Sequence, residues 1–329
     1  MNKDNMNEQK NTKYDPANPM LVGGQAVIEG VMMKAPHAIA TAVRRANGEI
    51  VIKADPYKPI SEKYPILKTP FIRGSVNLIE MMIIGVKTLN YSADIAMRDE
   101  ALKENKETKQ TDKKSGTTTL SLAITLIVAF GIGIAIFFFL PLFLTTKLFN
   151  FESDILIFNL ISGAVRLFIL LIYIIAISQL KDIQRIFQYH GAEHKLVYTF
   201  EQGKELSVEN ATPYTTFHPR CGTSFLIVVM LVAILSFAIL DALIVQWIGY
   251  INLPIRLATH LPCIPVLAGI SYEFIRFSAK RSDSLLGKIL IAPGLWLQRI
   301  TTKEPDNLQL EVALCALNAA LNYPKDETK

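Results

Sequence analysis

The fold class predicted for this chain is an α-helical integral membrane protein of about four transmembrane helices, with a small β-containing cytoplasmic region near the N-terminus. Three observations predict it. Apolar residues make up 50% of the chain, and they gather in long runs instead of following a helical or strand period. Four of those runs are long enough for a bilayer core of roughly 30 Å. Lysines and arginines collect on alternate loops, as they do when a chain crosses a membrane with a fixed orientation.

Residues 1–19 are polar and carry no apolar core, so a disordered tail is expected there and a cleaved signal peptide is not. Residues 20–56 read as a small β region. The stretches Gly24–Glu29 and Ile39–Arg44 are short and rich in small and β-branched residues, and Asn47-Gly48 turns the chain into Ile50-Val51-Ile52. Residues 57–98 form an amphipathic helix region. Arg73, Asn77, Glu80, Lys87, Asp94 and Arg98 fall on one side of it, so the helix is expected on the membrane surface or against the bundle. The charge run at 99–116 reads as a solvated linker.

The membrane bundle is expected over residues 117–279. Thr117 to Thr146 holds no charge. Ile155 to Gln179 is interrupted only by Arg166, and Thr223 to Tyr250 only by Asp241. Leu253 to Phe274 is weaker, carrying Arg256, His260, Pro262, Pro265 and Glu273. Between the second and third spans a polar loop at 180–222 holds Lys181, Arg185, Lys195, Lys204 and Arg220, while the loop after the first span holds only Lys147. Residues 280–329 read as a cytoplasmic helical tail, in which Asp306 to Gln309 resembles a capping box. Both termini and the polar loop are therefore expected in the cytoplasm. Cys221, Cys263 and Cys315 are odd in number and widely spaced, so no disulfide framework is implied. The net charge of +5 follows from the basic loops, and no interleaving of aromatic and basic residues points to nucleic acid.

The polar loop carries the chemistry. It contains F-Q-Y-H-G-A-E-H-K, in which His190 and His194 stand one helical turn apart, and then T-F-H-P-R-C-G-T-S-F, which adds His218 and Cys221. Imidazole nitrogens and a thiolate are the ligands of zinc or of another divalent transition metal. The H-x-x-E-H pattern places Glu193 beside His194 as a candidate general base. Cytidine-deaminase chemistry is excluded, because the required P-C-x-x-C pair is missing. Inside the spans, Arg166, Asp241 and His260 mark either local charge pairing or a transport path. Glu29 reads as a strand residue facing water. Glu273 reads either as a further ligand or as a partner of Arg276 one turn later.

Long stretches of the chain also resemble a known family. G-G-Q-A-V-I-E-G-V-M-M-K at 23–34, F-I-R-G-S-V at 71–76, the two histidine motifs, A-G-I-S-Y-E at 268–273 and T-T-K-E-P-D at 301–306 are similar to the bacterial YqhQ-type membrane family. That family is a domain of unknown function, often labelled a predicted metal-dependent enzyme. The resemblance implies a location in the bacterial cytoplasmic membrane, with the lipid bilayer as its surroundings. It directs attention to Glu29, Arg73, the four ligand candidates and Glu273. Three functions stay open: a metal-dependent hydrolase at the cytoplasmic face, a scaffold or assembly factor with a structural His3Cys zinc site, and a transporter.

Overall fold

The computed structural model describes residues 22–103, 115–148, 154–279 and 284–324. The expected tail at 1–19 and residues 104–114 of the expected linker lie outside them.

The first described residues form an antiparallel meander of four strands. These are β1 (Gly23–Val27), β2 (Gly30–Lys34), β3 (Ala38–Arg44) and β4 (Ile50–Pro56), paired in the order β1-β2-β3-β4. The first strand ends earlier than its sequence suggests. Ile28 and Glu29 make the tight turn into β2, with Glu29 at φ 51°. The second strand escapes the alternation rule because Val31, Met32 and Met33 are all buried; its two faces are both covered, as in the centre of a layered fold. The edge strand β4 is charged and exposed at Lys53 and Asp55, which keeps it from pairing further.

A short helix α1 (Ile60–Lys63) leads to the long α2 (Ile72–Lys103). Glu80, expected on the polar stripe of this helix, and Asp99, expected in a solvated linker, are both clasps. Glu80 is buried, accepting from the Tyr57 hydroxyl at 3.0 Å and from the Ile60 amide at 3.0 Å. Asp99 accepts from Arg45 and from the Ala46 amide. That anchor on the β3–β4 turn is why the helix continues into the stretch read as linker. Through the same contact Arg45 holds the Asp99 carboxyl below its ordinary value.

Four helices are long and apolar enough to cross a membrane, over Ile124–Leu148, Ile155–Ile177, Gly222–Ile248 and Leu253–Ser278. They fall where the four runs predict them. The first comprises α3 (Ser115–Ile134), a π-helical segment (Ala135–Phe139) and α4 (Leu140–Leu148). The π segment precedes Pro141, whose missing N–H and ring disturb the preceding turn. The others are α5 (Ile155–Ile177), α8 (Gly222–Ile248) and α9 (Leu253–Ala279). The start of α2 lies against α9. Arg73 forms a two-point ion pair with Glu273, and the Ser75 hydroxyl donates to the Pro265 carbonyl.

The segment between the second and third runs is ordered as α6 (Lys181–Glu201) and the short α7 (Val208–Ala211). Beyond the bundle come α10 (Leu285–Thr301) and α11 (Asn307–Leu321). The capping box at Asp306 is present: its carboxylate accepts from the Gln309 amide, and the Gln309 side chain accepts from the Asp306 amide. A single core joins these parts. Val31, Met33, Ala40 and Ala42 of the sheet meet Tyr189, Ala192, Leu196 and Phe200 of α6, and Leu310, Ala313 and Leu317 of α11. The helix α6, which carries His190 and His194, is thus clamped on one side by the sheet and on another by α11.

Candidate metal centre

His190 and His194 sit on α6 with ring centroids 4.5 Å apart, as one helical turn dictates. Cys221 comes from elsewhere: it is the N-cap of α8, and its sulfur accepts from the Thr223 amide. One donor atom from each of His190, His194 and Cys221 lies within 4.8 Å of the other two.

The hydrogen bonds around these rings decide what they offer. The Nδ1 of His190 stands 2.9 Å from the Thr301 carbonyl oxygen, and the Nδ1 of His194 meets the Thr216 carbonyl. A carbonyl oxygen only accepts, so each Nδ1 carries the proton and each Nε2 carries a lone pair. The Nε2 of His190 is 3.1 Å from the Cys221 sulfur, which donates its S–H to it. A metal would take the place of that single proton. Two Nε2 lone pairs and one sulfur, each imidazole oriented through its other nitrogen by a carbonyl, could hold a zinc ion and support it from outside.

His218 stands apart from the other three. Its ring centroid is 5.6 Å from that of His194, yet both of its nitrogens are engaged elsewhere. Nδ1 accepts from the Arg220 amide at 3.3 Å, which leaves the proton on Nε2, 3.4 Å from a Glu201 carboxylate oxygen. Burial keeps this imidazole below its ordinary pKa, while the Glu193 carboxylate acts in the opposite direction. The expected four-residue convergence is therefore a three-residue cluster with His218 beside it.

Glu193 is buried, with one carboxylate oxygen 3.4 Å from the Nε2 of His194. The sheet reaches it because Gly24 has no side chain: a Cβ there would lie 2.9 Å from the Glu193 Cγ. Gly191 serves the same purpose on another face of α6. A Cβ at that position would lie 2.1 Å from the Lys303 carbonyl oxygen, where the chain after α10 crosses the helix. That crossing strand is bound further by the Lys303 amide donating to the Phe187 carbonyl.

A family described as "Protein of unknown function (DUF1385)" matches residues 69–323. The chain belongs to DUF1385. It is 36% identical over 310 residues to the uncharacterized protein YqhQ of Bacillus subtilis (strain 168), a match covering 92% of this chain and 93% of that protein. No solved structure matches.

Three further positions that the DUF1385 resemblance singled out lie in ion pairs. Glu29 forms a two-point ion pair with Arg185 of α6 and lies 3.4 Å from the Tyr189 hydroxyl. Glu273 pairs with Arg73 and not with the Arg276 expected one turn away. All three fasten one element to another: Glu29 holds the sheet to α6, and Arg73 with Glu273 holds α2 to α9.

A second buried polar cluster occupies the opposite half of the bundle. Asp241 is fully buried. Its carboxylate accepts from Asn159 at 2.8 Å, from the Nε of Arg256 at 3.0 Å and from His260 at 2.6 Å. The His260 ring stacks on Phe237 at 3.9 Å, and the Arg256 guanidinium lies 3.5 Å over the Phe158 ring. Arg166 does not join the carboxylate; it faces the Phe138 and Phe237 rings. Among the described residues, the Nη1 and Nη2 of Arg256 and the Nδ1 of His260 have no hydrogen-bond partner. Sequence reasoning passed over Asn159 and took Arg256 only as a polar interruption of the fourth run, because neither residue has its partner close by in sequence.

Proposed function

We propose that this chain is a membrane-embedded metal-dependent hydrolase, with its site at the cytoplasmic face. His190, His194 and Cys221 would hold a divalent transition ion, zinc fitting this donor set best. One observation carries the reading: both Nδ1 atoms are tied to backbone carbonyls, so both Nε2 lone pairs are left for a cation beside the Cys221 sulfur. The cytoplasmic orientation is supported by the basic residues of the loop that became α6 and its surroundings.

Three protein ligands leave one position of a tetrahedral ion open, the arrangement of catalytic zinc sites. The scaffold alternative, a closed His3Cys shell, requires a lone pair from His218, whose Nδ1 is occupied by the Arg220 amide. A bound ion would supply Lewis acidity to a substrate oxygen. Glu193 would then accept a proton from the attacking water and return it to the leaving group. Its burial beside His194 keeps bulk water from competing for that role.

The test is metal content and coordination number on the purified full chain by X-ray absorption, together with Glu193→Gln in a complementation assay. The expected result is stoichiometric metal in both proteins, with function lost in the variant because an amide cannot accept the proton. A fully functional Glu193→Gln protein would retire the catalytic assignment. Purified protein with no transition metal would retire the site.

A further inference from the structure

The helix α10 has two unlike faces. On the inner one, Leu297 is fully buried and Gln298 accepts from the His218 amide while donating to the His218 carbonyl and the Ser224 hydroxyl. Gly294 lies so close to α8 that a Cβ there would come within 2.4 Å of the Ser224 oxygen. These contacts seat α10 at the end of the bundle that carries the metal centre.

The outer face is apolar and open. Leu285 is 76% exposed, Ile289 59% and Trp296 49%, with exposed Ala292 between them. At about 100° per residue, these four positions share an arc of roughly 60°. Lys288 and Arg299 are exposed along one edge of it. With 17 residues the helix is roughly 26 Å long, too short to cross a bilayer core of about 30 Å. The adjoining ends of α8 and α9 also expose apolar side chains, at Leu226 and Phe277. The row on α10 therefore continues the apolar belt of the spans around a corner.

We propose that α10 lies in the plane of the membrane, its Leu285, Ile289, Ala292 and Trp296 face among the acyl chains of the leaflet nearest the metal centre, with Lys288 and Arg299 at anionic lipid phosphates. An apolar arc edged by basic residues is what such a surface takes, and tryptophan favours the boundary between acyl chains and headgroups. The proposal stands independently of any metal. The leaflet would nevertheless touch the site through one helix thickness, because Gln298 and Thr301 hold His218 and His190 from the inner face.

The chain has two tryptophans. The other, Trp247, is 86% exposed at the far end of α8, so Trp247→Phe leaves the fold intact and Trp296 as the sole indole emitter. The full-length variant is placed in nanodiscs of phosphatidylglycerol and phosphatidylcholine, with the lipid brominated either near the headgroup end of the chains or near their middle. Trp296 emission should fall strongly with shallow bromines, less with deep ones, and little with aqueous iodide. Quenching by iodide without quenching by bromolipid would show a face turned to water and overturn the proposal. Quenching by neither would mean that protein covers the face, a second copy or a part of this chain outside the described residues, and would overturn it equally.

Discussion

Two histidine clusters at opposite ends of the same bundle are wired in opposite senses. At the candidate metal centre, His190 and His194 give their N–H groups to carbonyls outside the cluster, and the Nε2 of His190 lies against the Cys221 sulfur. At the far end, His260 gives its Nε2 proton inward to Asp241, whose oxygens also take Asn159 and Arg256. In the first cluster the protons point outward and a sulfur sits between the rings and the start of α8; the second has its carboxylate filled and spare donors on Arg256. The lesson is that burial and residue type do not identify a cation site. The direction of each imidazole proton does, and it is set by groups that are not ligands.

The largest effect is expected at Asp241. Replacing it by leucine leaves Arg256 and His260 buried without their acceptor, a loss of about 3–5 kcal/mol for a broken buried pair. Asp241→Leu should therefore fail to accumulate in membranes or unfold well below the wild type in a detergent melt. An unchanged melt would mean that the cluster is not held by its carboxylate.

At the other end the expected loss is in metal, not in fold. Cys221→Ala should weaken zinc retention against a competing chelator by more than the roughly 10–100-fold typical of outer-shell changes. Its melt should match that of metal-stripped wild type. His218→Ala sharpens the distinction, since the ring donates to Glu201 and offers no lone pair to the centre. Its zinc affinity should stay within about 10-fold of wild type. A loss equal to that of Cys221→Ala would restore the closed four-ligand shell and the scaffold reading with it.

The smallest effect is expected at Arg73. Its ion pair with Glu273 is two-pronged but partly exposed, at 26% and 20% of the side chains. Arg73→Gln should lower stability by no more than about 1 kcal/mol, read as a shift of a few degrees in the same melt.

Some of this architecture is legible in the residues because the cause is local. The four long apolar helices follow from long apolar runs with few charges, and the pairing of His190 with His194 from the helical repeat. The capping box at Asp306 needs only a spacing of three residues. What stays hidden depends on distant partners. Nothing near Asp99 or Glu80 in sequence announces Arg45 or Tyr57, so both acids resemble solvated charges. The ion pair between Arg73 and Glu273 joins residues 200 positions apart. His218 lies only three residues before Cys221, yet the Arg220 amide and Glu201 turn its ring to another use. Ring rotation leaves no trace in spacing.

The carbonyl that orients His190 belongs to Thr301, 111 residues later in the chain. At synthesis rates of about 5–20 residues per second, His190 leaves the ribosome roughly 6–22 s before the group that sets its tautomer. In that interval α8 and α9 must be made, and the strand carrying Lys303 has yet to cross Gly191. His190, His194 and Cys221 are all made before the carbonyl that orients the first of them. A chain truncated ahead of Thr301 would hold His190, His194 and Cys221 and lack the carbonyl that aims the first of them, so the cluster is completed by the synthesis of Thr301 and not by the appearance of its own three side chains.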